Sequence, residues 1–145
     1  PRAEVLGSIE GMPGFHALDR HPEAAVTAGL VLFRFNGPLV FFNAGYFKRE
    51  ALAAANQQGD DLRWFVLDMI PLTQLDITGI DALLDLQAEL ASRGVELVAA
   101  GRRSESSQGV SPVRHYPTLR KAQQAYRKAF LAPAAPGPAG GVPEA

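Results

Sequence analysis

The residues best equipped for chemistry sit in one stretch, Thr73-Gln74-Leu75-Asp76-Ile77-Thr78-Gly79-Ile80-Asp81. It combines hydroxyls, two carboxylates and a glycine with no side chain to shield its neighbours. Thr78 followed three residues later by Asp81 fits the capping-box pattern, so one reading is structural. In that reading Thr78 caps a helix, and Asp76 and Asp81 favour its positive start. The other reading leaves the Thr78 hydroxyl, beside Gly79, accessible to a kinase. A phosphate there would add about -1.5 to -2 charges, welcomed by the helix dipole and repelled by Asp76 and Asp81. Ile77 is apolar within a polar turn, and either anchors a partner or points inward. The chemistry on offer is contact and modification.

Other candidates are weaker. Asp68 stands alone near the end of an apolar run, with no second acid or base near it in sequence, and reads as a hydrogen-bonded structural group. Asp60-Asp61 reads as a solvated loop pair. His16, His21 and His115 lack metal-ligand spacing, and His16 and His21 read as surface histidines sharing a loop. No Gly-x-x-x-x-Gly-Lys-[Ser/Thr] loop and no Gly-x-Ser-x-Gly elbow occurs in the chain. With no cysteine, thiolate catalysis, disulfides and Cys-based zinc sites are all excluded. The lack of disulfides suits a reducing compartment. A formal net charge of -1 gives no overall pull toward nucleic acid or an anionic membrane surface.

These residues need elements to position them, and 145 residues allow one domain with one core. Glu4 to Ile9 reads as a short strand. Glu10 to Ala28 reads as a loop, too rich in Pro, Gly and charge for a core element. Leu30 to Phe35 is a strand of β-branched and aromatic residues. Asn36-Gly37 is a hairpin signal, so Leu39 to Phe42 is expected to pair back on it. Asn43 is placed to cap a helix in which Ala44, Phe47, Ala51, Leu52 and Ala55 share a face, ending near Gly59. Arg63 to Ile70 reads as a central strand, apolar on both faces. The next helix carries Ile80, Leu83, Leu84, Leu90 and Ala91 on one stripe and stops at Gly94. Val95 to Ala100 is a further strand, Val113 to Tyr116 a short last one, and Thr118 to Leu131 a third helix with Leu119, Ala122, Tyr126, Ala129 and Phe130 inward. Strand-helix alternation with short connections predicts parallel pairing. The expected fold class is α/β, a small mixed sheet of four to five strands with helices against it. In such sheets the turn at Asp76 to Gly79 lies on the carboxyl edge, where working loops gather. Gly101 to Pro112 has no apolar period, and the Pro/Gly/Ala-rich 132–145 is expected to be a disordered tail. No apolar run approaches the roughly 20 residues that span a bilayer.

Leu75-Asp76-Ile77-Thr78-Gly79 resembles the Asp-Ser-[Ser/Thr]-Gly turn of STAS domains, which occur in anti-sigma-factor antagonists and SulP anion transporters. Gly14-Phe15-His16-Ala17-Leu18-Asp19-Arg20-His21-Pro22-Glu23-Ala24 is similar to the linker after the first strand in bacterial SulP proteins. Pro38-Leu39-Val40-Phe41-Phe42-Asn43-Ala44 with Tyr46-Phe47 is similar to their approach to the first helix. The resemblance covers Ala3 to Ala100 and again His115 to Phe130. It implies a STAS domain over 3–131, with 14–28 as a linker-like loop. It further implies a non-enzymatic regulatory or interaction domain of a secondary transporter of sulfate or a related anion, at the cytoplasmic face of the inner membrane. A start at Pro1-Arg2-Ala3, without Met, then reads as a piece of a longer protein or a processed product. The implied partners are the parent's membrane domain, a second copy as a homodimer, or a cytosolic protein or kinase, with no nucleic acid. Thr78 maps to the phosphorylation site of the antagonist branch, although Ile77 replaces the usual hydroxyl residue. Gly101 to Pro112 lacks the helix that the family normally carries there. No cofactor is expected. The alternative is a sensing domain that binds GTP, GDP, ATP or a small anion weakly at two helix starts, Asn43-Ala44-Gly45 and Thr78-Gly79. A free-standing anti-sigma-factor antagonist is a third option, disfavoured by the long linker.

Overall fold

Along the chain the elements are β1 (Arg2–Gly7), β2 (His16–Ala17), β3 (Leu30–Asn36), α1 (Ala44–Gln58), β4 (Trp64–Asp68), α2 (Ile77–Ala91), β5 (Glu96–Ala100), β6 (Arg114–Tyr116) and α3 (Leu119–Phe130). They come from a computed structural model that describes residues 2–101 and 113–131. The expectations for 102–112 and for the tail at 132–145 lie outside the described residues. The sheet runs β2-β1-β3-β4-β5-β6. β1 pairs antiparallel with both β2 and β3, and β3 through β6 are parallel. The α/β class and the mixed sheet are as the pattern predicts, with one strand more than the four to five expected.

Two layers of helix explain why β4 is buried along its whole length. On one face Val31, Phe33 and Phe35 of β3 and Phe65 and Leu67 of β4 pack against Phe47 and Ala51 of α1 and Leu83, Leu86 and Leu90 of α2. On the other, Leu30, Leu32, Trp64, Val66 and Val98 pack against Leu119, Ala122 and Tyr126 of α3. Burying each such large side chain contributes about 1.5–3 kcal/mol.

The expected hairpin at Asn36-Gly37 does not form. Both edges of β3 are already taken, by β1 and β4, so Leu39 to Phe42 has no strand to join. Instead Leu39 makes a single parallel bridge to Leu75, and the chain turns directly into α1. The segment from Glu10 to Ala28 is also more than a loop. β2 lies within it, and Ala17, Ala24 and Thr27 are buried against the sheet. On the helices, Ala82 and Leu86 face inward where Ala91 was expected, and Ala129 is exposed with Phe130 half out.

Tyr126 locks α3 to the amino edge of the sheet. Its hydroxyl donates to the Ala28 carbonyl at 2.7 Å and fills the space over Gly29. That glycine has φ +80° and no room for a β-carbon. Burial pushes the Tyr126 phenol up, with Arg63 opposing weakly. A raised phenol favours the neutral form in the fold. Its contribution is therefore complete below the ordinary value of about 10 and lost as pH rises through the folded value. Tyr126→Phe should cost about 1 kcal/mol at neutral pH. Urea unfolding from pH 8 to 11 should show the gap to wild type closing at the alkaline end.

Candidate functional site

β3 and β4 run parallel, so the loops that follow them emerge side by side on the carboxyl edge. Backbone bonds join the two loops, from Leu39 N–H to the Gln74 carbonyl at 2.9 Å and from Asp76 N–H to the Leu39 carbonyl at 3.4 Å. Asp76 completes the join with its side chain. One carboxylate oxygen accepts from the Gly79 N–H and the other from the Phe41 N–H, both at 2.8 Å. Asp76, not Thr78, is therefore the cap of α2. Aspartate is as good a cap as threonine, and only Asp76 also reaches the N–H of the neighbouring loop. Thr78 lies one turn-step inside the helix, exposed, as is Asp81.

Gly79 is buried against that join. A β-carbon there would overlap the Leu39 carbonyl, so any other residue forces the two loops apart. Asn43 does stand at the start of α1, but its side chain does not cap it. Its amide oxygen accepts from the Val40 N–H at 2.9 Å and its amide nitrogen donates to the Pro38 carbonyl at 2.8 Å. The residue braces its own turn. Ala44 is buried and Gly45 exposed at the helix start.

The brace holds three apolar side chains out of the fold. Phe41 and Phe42 are each 71% exposed and Ile77 is 77% exposed. Ile77 therefore does not point inward. Phe41 and Phe42 were expected in a strand. A residue just before a helix cap often folds back on the first turn, yet Phe42 stays open and meets Phe41 edge-on at 5.5 Å. At roughly 200 Å² per large side chain, the three expose on the order of 400 Å² of apolar surface, within the range of the largest patch on a typical monomer.

The remaining candidates lie elsewhere. Asp68 is 4% exposed, and its carboxylate accepts from Arg34 Nε at 3.0 Å and the Ile70 N–H at 3.1 Å. Its charge is fully used inside the sheet. Asp60 and Asp61 lie in an exposed 3-10 turn. The rings of His16 and His21 meet edge-on at 5.2 Å, and His21 faces Glu23. Among the described residues no group of three or more metal-type ligands converges. His115 contacts the Gly101 carbonyl at the far edge of the sheet.

Removing the brace should be costly, and removing the hydroxyl should not. Gly79→Ala should destabilise by about 1–3 kcal/mol through overpacking. Asp76→Ala should cost about 1–2 kcal/mol through the lost cap and the stranded Phe41 N–H. Thr78→Ala should stay within about 0.5 kcal/mol. Urea unfolding of the three variants checks the order.

The STAS domain family model matches residues 21–110. A probable sulfate transporter of Mycobacterium tuberculosis strain H37Rv is 39% identical over 100 residues, 69% of this chain and 18% of the transporter. The chain thus spans under a fifth of that relative's length. Among solved structures, the murine Solute Carrier 26 family member A9 anion transporter in its inward-facing state superposes with a TM-score of 0.75 at 20% identity, over 87% of this chain and 22% of that one. The SulP transporter STAS domain from Vibrio cholerae gives 0.59 at 23% identity, over 79% of this chain and 94% of that one. These two likenesses concern the fold. With the family model covering both braced loops, the conclusion is direct: the chain belongs to the STAS domain family.

Proposed function

We propose that this STAS domain is the regulatory and interaction module of a SulP-type secondary anion transporter, carrying sulfate or a related anion, and that it works through the turn at Asp76 to Gly79. The observation that carries the reading is the apolar surface of Phe41, Phe42 and Ile77, held outward on a braced edge. Such a surface suits a partner, and the relative that matches at 39% identity is a probable transporter with more than four-fifths of its length outside the match. The parent's membrane domain is therefore the partner assigned to the patch. In this reading the domain sits at the cytoplasmic face of the membrane and takes no catalytic part.

Thr78 is the switch position in this reading. It is exposed beside the patch, at the start of a helix whose Gly79 N–H already donates to the Asp76 carboxylate. A phosphate there would add charge against Asp76 and alter the contact surface without touching the core. The same carboxylate weighs against nucleotide or anion sensing at Thr78-Gly79, since an incoming anion would meet a fixed negative charge. Only the Asn43 to Gly45 end remains for that alternative.

The test is uptake by the whole transporter. Phe41→Ser with Phe42→Ser should change sulfate uptake several-fold while the purified domain keeps its melting temperature. Uptake equal to wild type would overturn the patch as a transmitting surface. Thr78→Asp should mimic part of that change and Thr78→Ala should block any kinase-dependent response.

A further inference from the structure

The solvent side of α3 is cationic. The helix Leu119–Phe130 reads LRKAQQAYRKAF, four cations and no acid. Leu119, Ala122 and Tyr126 face the sheet. At 100° per residue, Arg120, Lys121, Gln124, Arg127 and Lys128 fall together on the opposite side, and all five are exposed. A chain with net charge -1 and 14 Lys and Arg therefore gathers four of them on one helix face with no acid among them, which the overall balance conceals.

Elsewhere among the described residues most exposed cations are paired, although Arg49 and Arg63 join no ion pair. Arg2 and Arg20 meet Asp19 and Glu4, Lys48 meets Asp85, Arg93 meets Glu89 and Arg114 meets Glu96. The ion pairs among the described residues include none from α3. Arg127 donates to the Thr27 hydroxyl instead, at 3.1 Å. Arg127 and Lys128 in the last turn suit the helix dipole, but Arg120 and Lys121 sit in the first turn, where it opposes them. Local structure accounts for half of the face and not for the rest. Asp60 and Asp61 line the same open groove as Tyr126, Phe130 and Leu131, at the far end of the helix from Arg120 and Lys121.

We infer that this face of α3 docks on anionic lipid headgroups of the membrane that holds the parent transporter. Charge complementarity selects the partner class, since clustered Lys and Arg side chains are attracted to an anionic leaflet. Geometry agrees with it. α3 starts just after β6, at the carboxyl edge, so Arg120 and Lys121 lie toward the edge that carries Phe41, Phe42 and Ile77. The inference rests on the proposed place beside a membrane. Its test uses the chain by itself, so its failure would leave the apolar patch and its partner unaffected.

The experiment is sedimentation of the 145-residue chain with phosphatidylcholine vesicles, with and without about a third of phosphatidylglycerol. Binding is expected only to the anionic vesicles, falling steeply between low salt and roughly 0.5 M salt as charge is screened. Each basic residue near such a surface should contribute about five-fold in partitioning. Arg120→Gln, Lys121→Gln and Lys128→Gln combined should then weaken binding on the order of a hundredfold. An unchanged melting curve keeps that variant interpretable, and Arg127 is left intact because of its bond to Thr27. Three results overturn the inference: no binding to anionic vesicles at low salt, equal binding to neutral ones, or a triple variant that binds like wild type. Binding to polyglutamate without binding to vesicles also overturns it, in favour of an acidic protein partner.

Discussion

The carboxylate of Asp76 is the point on which the working edge depends. Parallel strands bring the loops after β3 and β4 to the same edge, but nothing in a parallel sheet fixes the two loops to each other. Asp76 does so, because it has two oxygens and there are two N–H groups within reach, one on its own helix and one on the other loop. A helix cap normally satisfies only its own helix. Here it makes the start of α2 and the approach to α1 move as one body. Gly79 is the steric half of the same device, since the loops close only where a side chain is missing.

Rigidity at that edge changes what an exposed apolar group means. A flexible loop could fold Phe41, Phe42 and Ile77 back onto the sheet and bury them. The brace forbids this, so the exposure is imposed by hydrogen bonds to Asp76 and by the Asn43 bonds to Val40 and Pro38. Preorganised surface loses less entropy on binding, which suits a standing contact better than an occasional one. The buried charges carry the same implication. Glu4, Arg34 and Asp68 stand in register across β1, β3 and β4, and Glu4 and Asp68 are 5% and 4% exposed. Glu4 accepts from Arg20 and Asn36, and Asp68 from Arg34 and the Ile70 N–H. Those carboxylates are spent on holding the strands and the segment after β1 in place.

How far the sequence could be read follows from the range of each interaction. β4 was legible because four consecutive apolar or aromatic residues and a closing Asp reflect burial on both faces, a local signal. The helix ends at Gly59 and Gly94 were legible because a left-handed φ is a property of one residue. The position of the Asp76 to Gly79 turn followed from strand-helix alternation alone. The choice of cap did not, because Thr78 and Asp76 both carry the required oxygen three residues before a helical N–H. What decides it is the Phe41 N–H, 35 positions away in sequence. The hairpin expectation failed for the same reason. Asn36-Gly37 is a sound local signal, but β3 has no free edge, because β1 before it and β4 after it in the chain already occupy both sides. β2 was missed because two residues carry no periodicity at all.

The two surfaces on this domain differ in the kind of attraction they offer, and that difference orders them. An apolar patch acts only at contact, through water released when it is covered. The cationic side of α3 acts at about a Debye length, roughly 8 Å at physiological salt, and without a matching shape. A long-range, unspecific attraction can bring a domain to a charged layer and limit its rotation there. A short-range, shaped one can then select a single site. Arg120 and Lys121 at the start of α3 share the carboxyl edge with the braced loops, on the other face of the sheet. A phosphate on Thr78 would subtract from both, adding negative charge near the anionic layer and hydration beside Ile77. One exposed hydroxyl, next to a carboxylate that cannot move, would then be enough to weaken the whole attachment.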